Sequence, residues 1–338
     1  MTEIDSLKNC SGKLDYASII ILCLLNAISG LMAIGGNMLV LTAIYRTPSL
    51  RTISNYFIAS LGAADLMVGF YINPLLLAKT VNNTTTGTPL ALAAEIASLE
   101  SITATIYSLC VISVDRYIAI TIVFRYTELM TKRVCCVLIA SVWAFAIFFG
   151  CSRLMVTSED LPKLWIAASV VHFVIPFFVI CFCYVSIFKE ARAQNRRIAA
   201  VNTPYREALQ DRKNRKAAWT VAIVIGVFTA LLCPNIVLAS LQHMSQDKCE
   251  ISRLYRYWFW FSWLTFCSSA MNPWIYGIRS REFRHAFKRI FHMDVSSSNT
   301  HTSGETRGVQ DVPHQKQAWT VHSMKPNANM EQAFAAVN

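Results

Sequence analysis

The stretch Glu95–Tyr126 reads EIASLESITATIYSLCVISVDRYIAITIVFRY, and its reading decides the fold. It is apolar enough to cross a bilayer, which takes about 20 predominantly apolar residues. Yet it ends on Asp115-Arg116-Tyr117, with Phe124-Arg125-Tyr126 just beyond. An arginine at the mouth of a membrane helix costs a few kcal/mol to desolvate and cannot escape by losing its proton. The adjacent carboxylate of Asp115 can hold it at that depth, and such a pair can rest with the acid and later turn to another partner. The alternative is an Arg116 that merely snorkels at the interface, as helix-end arginines commonly do. On this stretch alone the two readings stand level; the rest of the chain moves them.

Of the 338 residues, 54% are hydrophobic and 15% charged, against about 25% charged in a soluble globule. Apolar runs near residues 17–45, 55–78, 90–126, 134–155, 164–188, 217–241 and 257–278 predict an all-α membrane protein, a seven-transmembrane helix bundle. Pro176, Pro234 and Pro273 fall inside the last three spans, where each frees a carbonyl and predicts a kink. Seven of the eleven cysteines (Cys110, Cys135, Cys136, Cys181, Cys183, Cys233 and Cys267) lie within or beside spans and read as small buried hydrophobes. No cleavable signal peptide is evident, so the first span is expected to serve as the targeting signal.

Residues 1–16 form a short polar arm, 17–279 the bundle, 280–292 a juxtamembrane helix and 293–338 a polar tail with the composition of disorder. In the juxtamembrane segment Phe283, Phe287, Ile290 and Phe291 share one face opposite basic residues, the pattern of a helix lying on the membrane. With the N-terminus outside, the segments that fall inside carry 23 of the 31 lysines and arginines. The positive-inside rule therefore selects an N-terminus outside and a C-terminus inside for seven spans. The same assignment puts the glycosylation acceptors Asn9, Asn82 and Asn83 on the glycosylated side. It also explains the net charge of +11 without nucleic acid as a partner.

Asp65 sits deep in the second span, where a carboxylate costs roughly 2.5–3.5 kcal/mol. Asn37, Thr105, Ser268, Ser269 and Asn272 lie at similar depth and can supply oxygens and amides. Two readings stay open: a pocket for a monovalent cation, or a protonated aspartic acid in a static hydrogen-bonded cluster.

The ordered set of motifs resembles the class A (rhodopsin-like) G-protein-coupled receptors, loosely their amine, adenosine and melanocortin branches. It comprises Gly36-Asn37-Met38-Leu39-Val40, Leu61 through Asp65, Asp115-Arg116-Tyr117, Trp143, Pro176 with Tyr184, Phe228 with Pro234, and Asn272-Pro273-Trp274-Ile275-Tyr276. The resemblance covers residues 20–291. It implies an extracellular small-molecule or peptide ligand, a heterotrimeric G protein, arrestin and receptor kinases at the tail, and surrounding lipid. It implies a Na⁺ site at Asp65 with Thr105, Ser269 and Asn272. Ile106, Pro176, Phe228 and Leu232 would transmit the change, with Pro234 as the hinge of span six. Arg116, Tyr184 and Tyr276, with Asp115, Tyr117, Asn272 and Pro273, would form the switch, and Phe124 the apolar plug that meets the G protein.

Departures from the pattern are equally informative. Ala91 stands where the family has a bridging cysteine, and residues 157–163 contain none. Cys10 and Cys249 remain as exoplasmic partners, a pairing that some branches show. Leu232 replaces an aromatic toggle. Asn214 replaces the acid that often clamps the switch arginine, so raised basal activity is expected. Ser98 stands where amine receptors carry an aspartate, which disfavours a biogenic amine. Glu95, three residues further out, is either a ligand contact for a cation or peptide or a solvated rim charge; Ile102, His172, Asn235, Ser262 and Phe266 complete the expected ligand set. Trp258, Trp260 and Trp263 read mainly as an interfacial aromatic belt.

Other classes fit poorly. A photopigment needs a span-seven lysine for retinal, and residues 257–278 have none, Phe266 standing at the position. Paired repeats of a transporter are not visible. No metal-ligand cluster, nucleophile elbow or phosphate loop suggests an enzyme, and no cofactor is expected. The remaining alternative is an atypical receptor that signals constitutively or through arrestin only.

Overall fold

A computed structural model describes residues 12–84, 87–157, 160–200, 205–245 and 247–299. Seven long helices and one shorter one follow in order: α1 Tyr16–Arg46, α2 Ile53–Val81, α3 Pro89–Thr121, α4 Lys132–Ser152, α5 (Leu161–Ser169 and Ile175–Ala200), α6 Tyr205–Met244, α7 Lys248–Arg279 and α8 Arg281–Asn299. The fold is an all-α seven-helix bundle with an appended amphipathic helix.

The helices start where the sequence supplies a side-chain cap. Asp15, Thr52, Thr88, Thr131 and Asp247 each accept from a free backbone N–H in the first turn of α1, α2, α3, α4 and α7. Pro89 adds its preset φ at the start of α3. Two helices widen by one π turn: Val68–Ile72 in α2 and Val170–Val174 in α5, each just ahead of a proline, Pro74 and Pro176. The proline ring clashes with the carbonyl one turn back, and the wide turn absorbs the clash.

Six of these helices are long and apolar enough to cross a membrane, among the described residues. The seventh, α7, is not one of them, although at 32 residues it is long enough. Its span is built from Trp, Tyr, Ser, Asn and Pro, which score poorly for hydropathy while still filling a helix interface.

The bundle is organised around α3, which packs against α2, α4, α5 and α6, while α7 returns to α1. The largest apolar cluster joins Val40, Phe57, Leu61, Ile106, Leu109, Val224, Phe228 and Tyr276, drawn from α1, α2, α3, α6 and α7. Close approach of α1 and α2 depends on Gly69, where an added Cβ would lie 2.6 Å from Ile34. Trp143 of α4 donates from Nε1 to Ser60 Oγ of α2 at 3.0 Å.

α8 runs to Asn299, past the boundary at 292 expected from the sequence. Phe283 and Ala286 are buried, and Phe283 stacks on Tyr276 with ring centroids 5.7 Å apart. Phe291, expected on the same face, is 60% exposed. Ahead of α1 the chain is tied down: the Gly12 N–H donates to Ser252 Oγ at 3.0 Å, and the Asn83 carboxamide bonds both the N–H and the carbonyl of Leu14 at 3.0 and 3.1 Å. Asn83 adopts φ 47, a left-handed conformation that asparagine tolerates. Asn9, Cys10, the Asn214 side chain and residues 300–338 lie outside the described residues.

Candidate functional site

At one end of α3, Asp115 is fully buried and saturated with donors. Arg116 donates to Asp115 Oδ2 through Nε at 3.0 Å and through its terminal nitrogen. Ser54 of α2 donates to the same oxygen at 2.8 Å, and the Tyr126 phenol donates to Oδ1 at 2.8 Å. Burial first, and the Asp115 charge second, push the Tyr126 phenol up to about 12, so it stays a donor. The pair is thus held from a second helix and from the following loop. Neither Ser54 nor Tyr126 was expected here; the signal was a hydroxyl at each helix mouth, which sequence alone cannot aim.

The other expected switch residues make no hydrogen bond or ion pair to Arg116 among the described residues. The Tyr184 hydroxyl donates to the Ala218 carbonyl of α6 at 3.2 Å, Tyr276 is buried against Phe283, and Tyr117 packs on Phe182 with centroids 5.5 Å apart. Phe124 is 97% exposed in the short helical turn after α3. Asn272 and Pro273 lie inside α7, Asn272 facing the bundle centre.

There Asn272 Nδ2 donates to Asp65 Oδ2 at 2.7 Å, and Asn37 Nδ2 donates to the Ser269 carbonyl at 3.1 Å. Ser269 and Thr105 are both buried. Asp65 Oδ1, Asn37 Oδ1 and Ser108 Oγ have no hydrogen-bond partner among the described residues. Unpaired buried oxygens such as those of Asp65 and Asn37 are of the kind a hard cation takes, whereas Ser108 faces Phe57, Ser60, Ile139 and Val142 between α2, α3 and α4.

Ile106, Pro176, Phe228 and Leu232 line a common void of about 40 Å³ that His172 also lines. Leucine is shorter than the aromatic it replaces, and the void lies beside it. Pro234 sits inside α6, two residues further on.

At the other end of the bundle the expected ligand set is only partly assembled. Glu95 is neither a rim charge nor free: Arg153, just past α4, pairs with it at 2.7 Å, and the two side chains are 11% and 16% exposed. His172 is buried with Nε2 2.7 Å from Thr103 Oγ1, its ring edge-on to Phe149. Ile102 and Phe266 pack with Val68, Ile72 and Leu76. Asn235 reaches Thr265 at 3.5 Å, the limit of a hydrogen bond. Ser262 is buried with its hydroxyl unpaired, while Ser98 is only partly exposed. The tryptophans depart from a simple belt: Trp258, Trp260 and Trp263 pack on Leu14, Leu22 and Phe259. Cys249 is disulfide-bonded, and nine other cysteines are free.

Residues 36–276 match the family described as 7 transmembrane receptor (rhodopsin family). The chain belongs to that family. It is a G-protein-coupled receptor for an extracellular ligand and signals through G proteins. Dopamine receptor 1 of Drosophila melanogaster is 28% identical over 95% of this chain and 73% of its own length. Trace amine-associated receptor 9 of Rattus norvegicus is 30% identical over 80% of this chain and 88% of its own. Melanocortin receptor 5 of Homo sapiens is 28% identical over 77% and 81% respectively.

Proposed function

We propose that the Arg116 end of the bundle is the cytoplasmic face of a plasma-membrane receptor, and that the Asp115–Arg116 pair holds it in a resting arrangement. The single observation behind this reading is the closed set around Asp115, with Arg116, Ser54 and Tyr126 all donating to one buried carboxylate. A ligand that favours a second packing of the bundle shifts the balance only by its differential affinity for the two states. In the active packing α6 swings outward about Pro234, Arg116 leaves Asp115, and Tyr184 and Tyr276 move in to receive it. The exposed Phe124 then docks on the G-protein α-subunit.

Asn214 offers Arg116 no second carboxylate, so basal activity is raised, and Asn214→Glu lowers it at equal surface expression. Asp65, Asn37, Thr105, Ser269 and Asn272 hold a Na⁺ ion in the resting packing; the unpaired Asp65 and Asn37 oxygens support this. Cys249 pairs with Cys10, and Asn9 and Asn82 carry glycans; Asn83, also an acceptor by sequence, is set aside because its carboxamide is engaged with Leu14. Arrestin, receptor kinases and inner-leaflet lipid engage the tail and the basic face of α8.

The test is ligand-free G-protein activation in cells, wild type against Arg116→Ala at matched surface expression. Basal activity that disappears in the variant supports the reading; activity that survives refutes it.

A further inference from the structure

The Glu95 end of the bundle contains a buried cation that forms no ion pair among the described residues. Lys79, near the end of α2, is 1% exposed. Among the described residues no carboxylate lies within 4.0 Å of its ammonium; its neighbour is the Trp258 ring, whose centroid is 3.9 Å away. A π face attracts a buried cation by about 2 kcal/mol, well short of the several kcal/mol that desolvating an ammonium costs.

The charges facing this region do not settle the deficit. Glu95 of α3 attracts Lys79 through space but is already paired with Arg153. Glu100 lies against Gly150 of α4, and Asp160 holds Lys163 in an exposed pair. Arg253 and Arg256 of α7 are exposed, and Arg256 interacts with Asp15 at the start of α1, so neither brings an acid to Lys79. The buried set Lys79, Glu95 and Arg153 therefore carries a net +1. Around it the polar and apolar needs of a ligand are both met. Ser262, one turn beyond Trp258 on the same face of α7, is 1% exposed with an unpaired hydroxyl. Ile72, Leu76 and Phe266 form an apolar floor that Trp258 joins.

We propose that this receptor's ligand is an anion: a carboxylate carried on an apolar body, with the carboxylate taken by Lys79 and the body resting on Ile72, Leu76 and Phe266. The indole of Trp258 covers the ammonium in the resting state and moves aside when the carboxylate arrives. Ser98 carries no charge and Glu95 is already paired, so neither offers a counter-ion to an amine; two of the relatives are named for amines. The proposal rests on the receptor reading above and names the chemistry of its ligand.

The experiment uses the full chain in detergent and two probes with one skeleton, 3-phenylpropionate and 3-phenylpropylamine, at tens of millimolar. Sodium chloride at the same concentration is the third arm. The acid raises the thermal midpoint by about 2–4 °C, the shift expected for a weak fragment at roughly ten times its Kd. The amine and chloride leave it unmoved. Lys79→Gln abolishes the rise, and Lys79→Arg, which keeps the charge should the neutral variant fold poorly, preserves it. A rise with the amine, an equal rise with chloride alone, no rise with the acid, or a rise that survives Lys79→Gln each overturns the proposal. Arg116-dependent basal signalling, measured in parallel, separates the two readings. If it persists while the acid response fails, only the ligand class is wrong; if it is absent, the receptor mechanism itself falls.

Discussion

The two ends of α3 handle buried charge in opposite ways. At the Arg116 end the cation has its acid next to it in the chain, and every donor converges on Asp115. At the Glu95 end the acid is claimed by Arg153, a residue 58 positions away, and Lys79 is left facing a tryptophan. A satisfied site of the first kind is a latch, released when a competing packing offers its members better partners. An unsatisfied site of the second kind is a receptacle, because it has binding free energy in reserve for an arriving anion.

The contrast can be broken at several points. The largest effect belongs to Arg153→Ala, which strands Glu95 beneath the surface. Leaving one member of a buried pair costs about 3 kcal/mol, read as a fall in thermal midpoint. Adding Glu95→Gln to that variant recovers most of the loss if the stranded charge is the cause. Asn83→Ala, which leaves the Leu14 N–H and carbonyl unpaired in a half-buried site, costs about 2 kcal/mol. It loosens the arm ahead of α1, which limited proteolysis detects. Tyr126→Phe removes one donor from Asp115, costs about 1.5 kcal/mol and raises ligand-free signalling, whereas Asn83→Ala does not. The smallest effect is a gain. Leu232→Phe fills part of the 40 Å³ void, and at about 24 cal/mol per Å³ of cavity it stabilises by up to about 1 kcal/mol.

The latch was far more legible in the sequence than the receptacle, for a physical reason. Asp115 and Arg116 are neighbours in the chain, so their pairing needs no tertiary information. The seven spans were equally legible, although α7 is carried by aromatic and small polar residues rather than by hydropathy. Glu95 was not legible, because its partner depends on how α3 packs on the end of α4. Lys79 is one of the eight lysines and arginines outside the inner segments and nothing sets it apart, since two-helix proximity to Trp258 leaves no trace in either local pattern. The π turns also escaped notice: Pro74 and Pro176 predict strain but not the form in which a helix absorbs it.

The latch is tested most directly by epistasis. Ligand-free G-protein activation is measured for Asp115→Asn and for Asp115→Asn combined with Arg116→Ala, at matched surface expression. If the carboxylate restrains the arginine, the single variant signals several-fold above wild type and the double variant is silent. A single variant no more active than wild type, or a double variant as active as the single, contradicts the account.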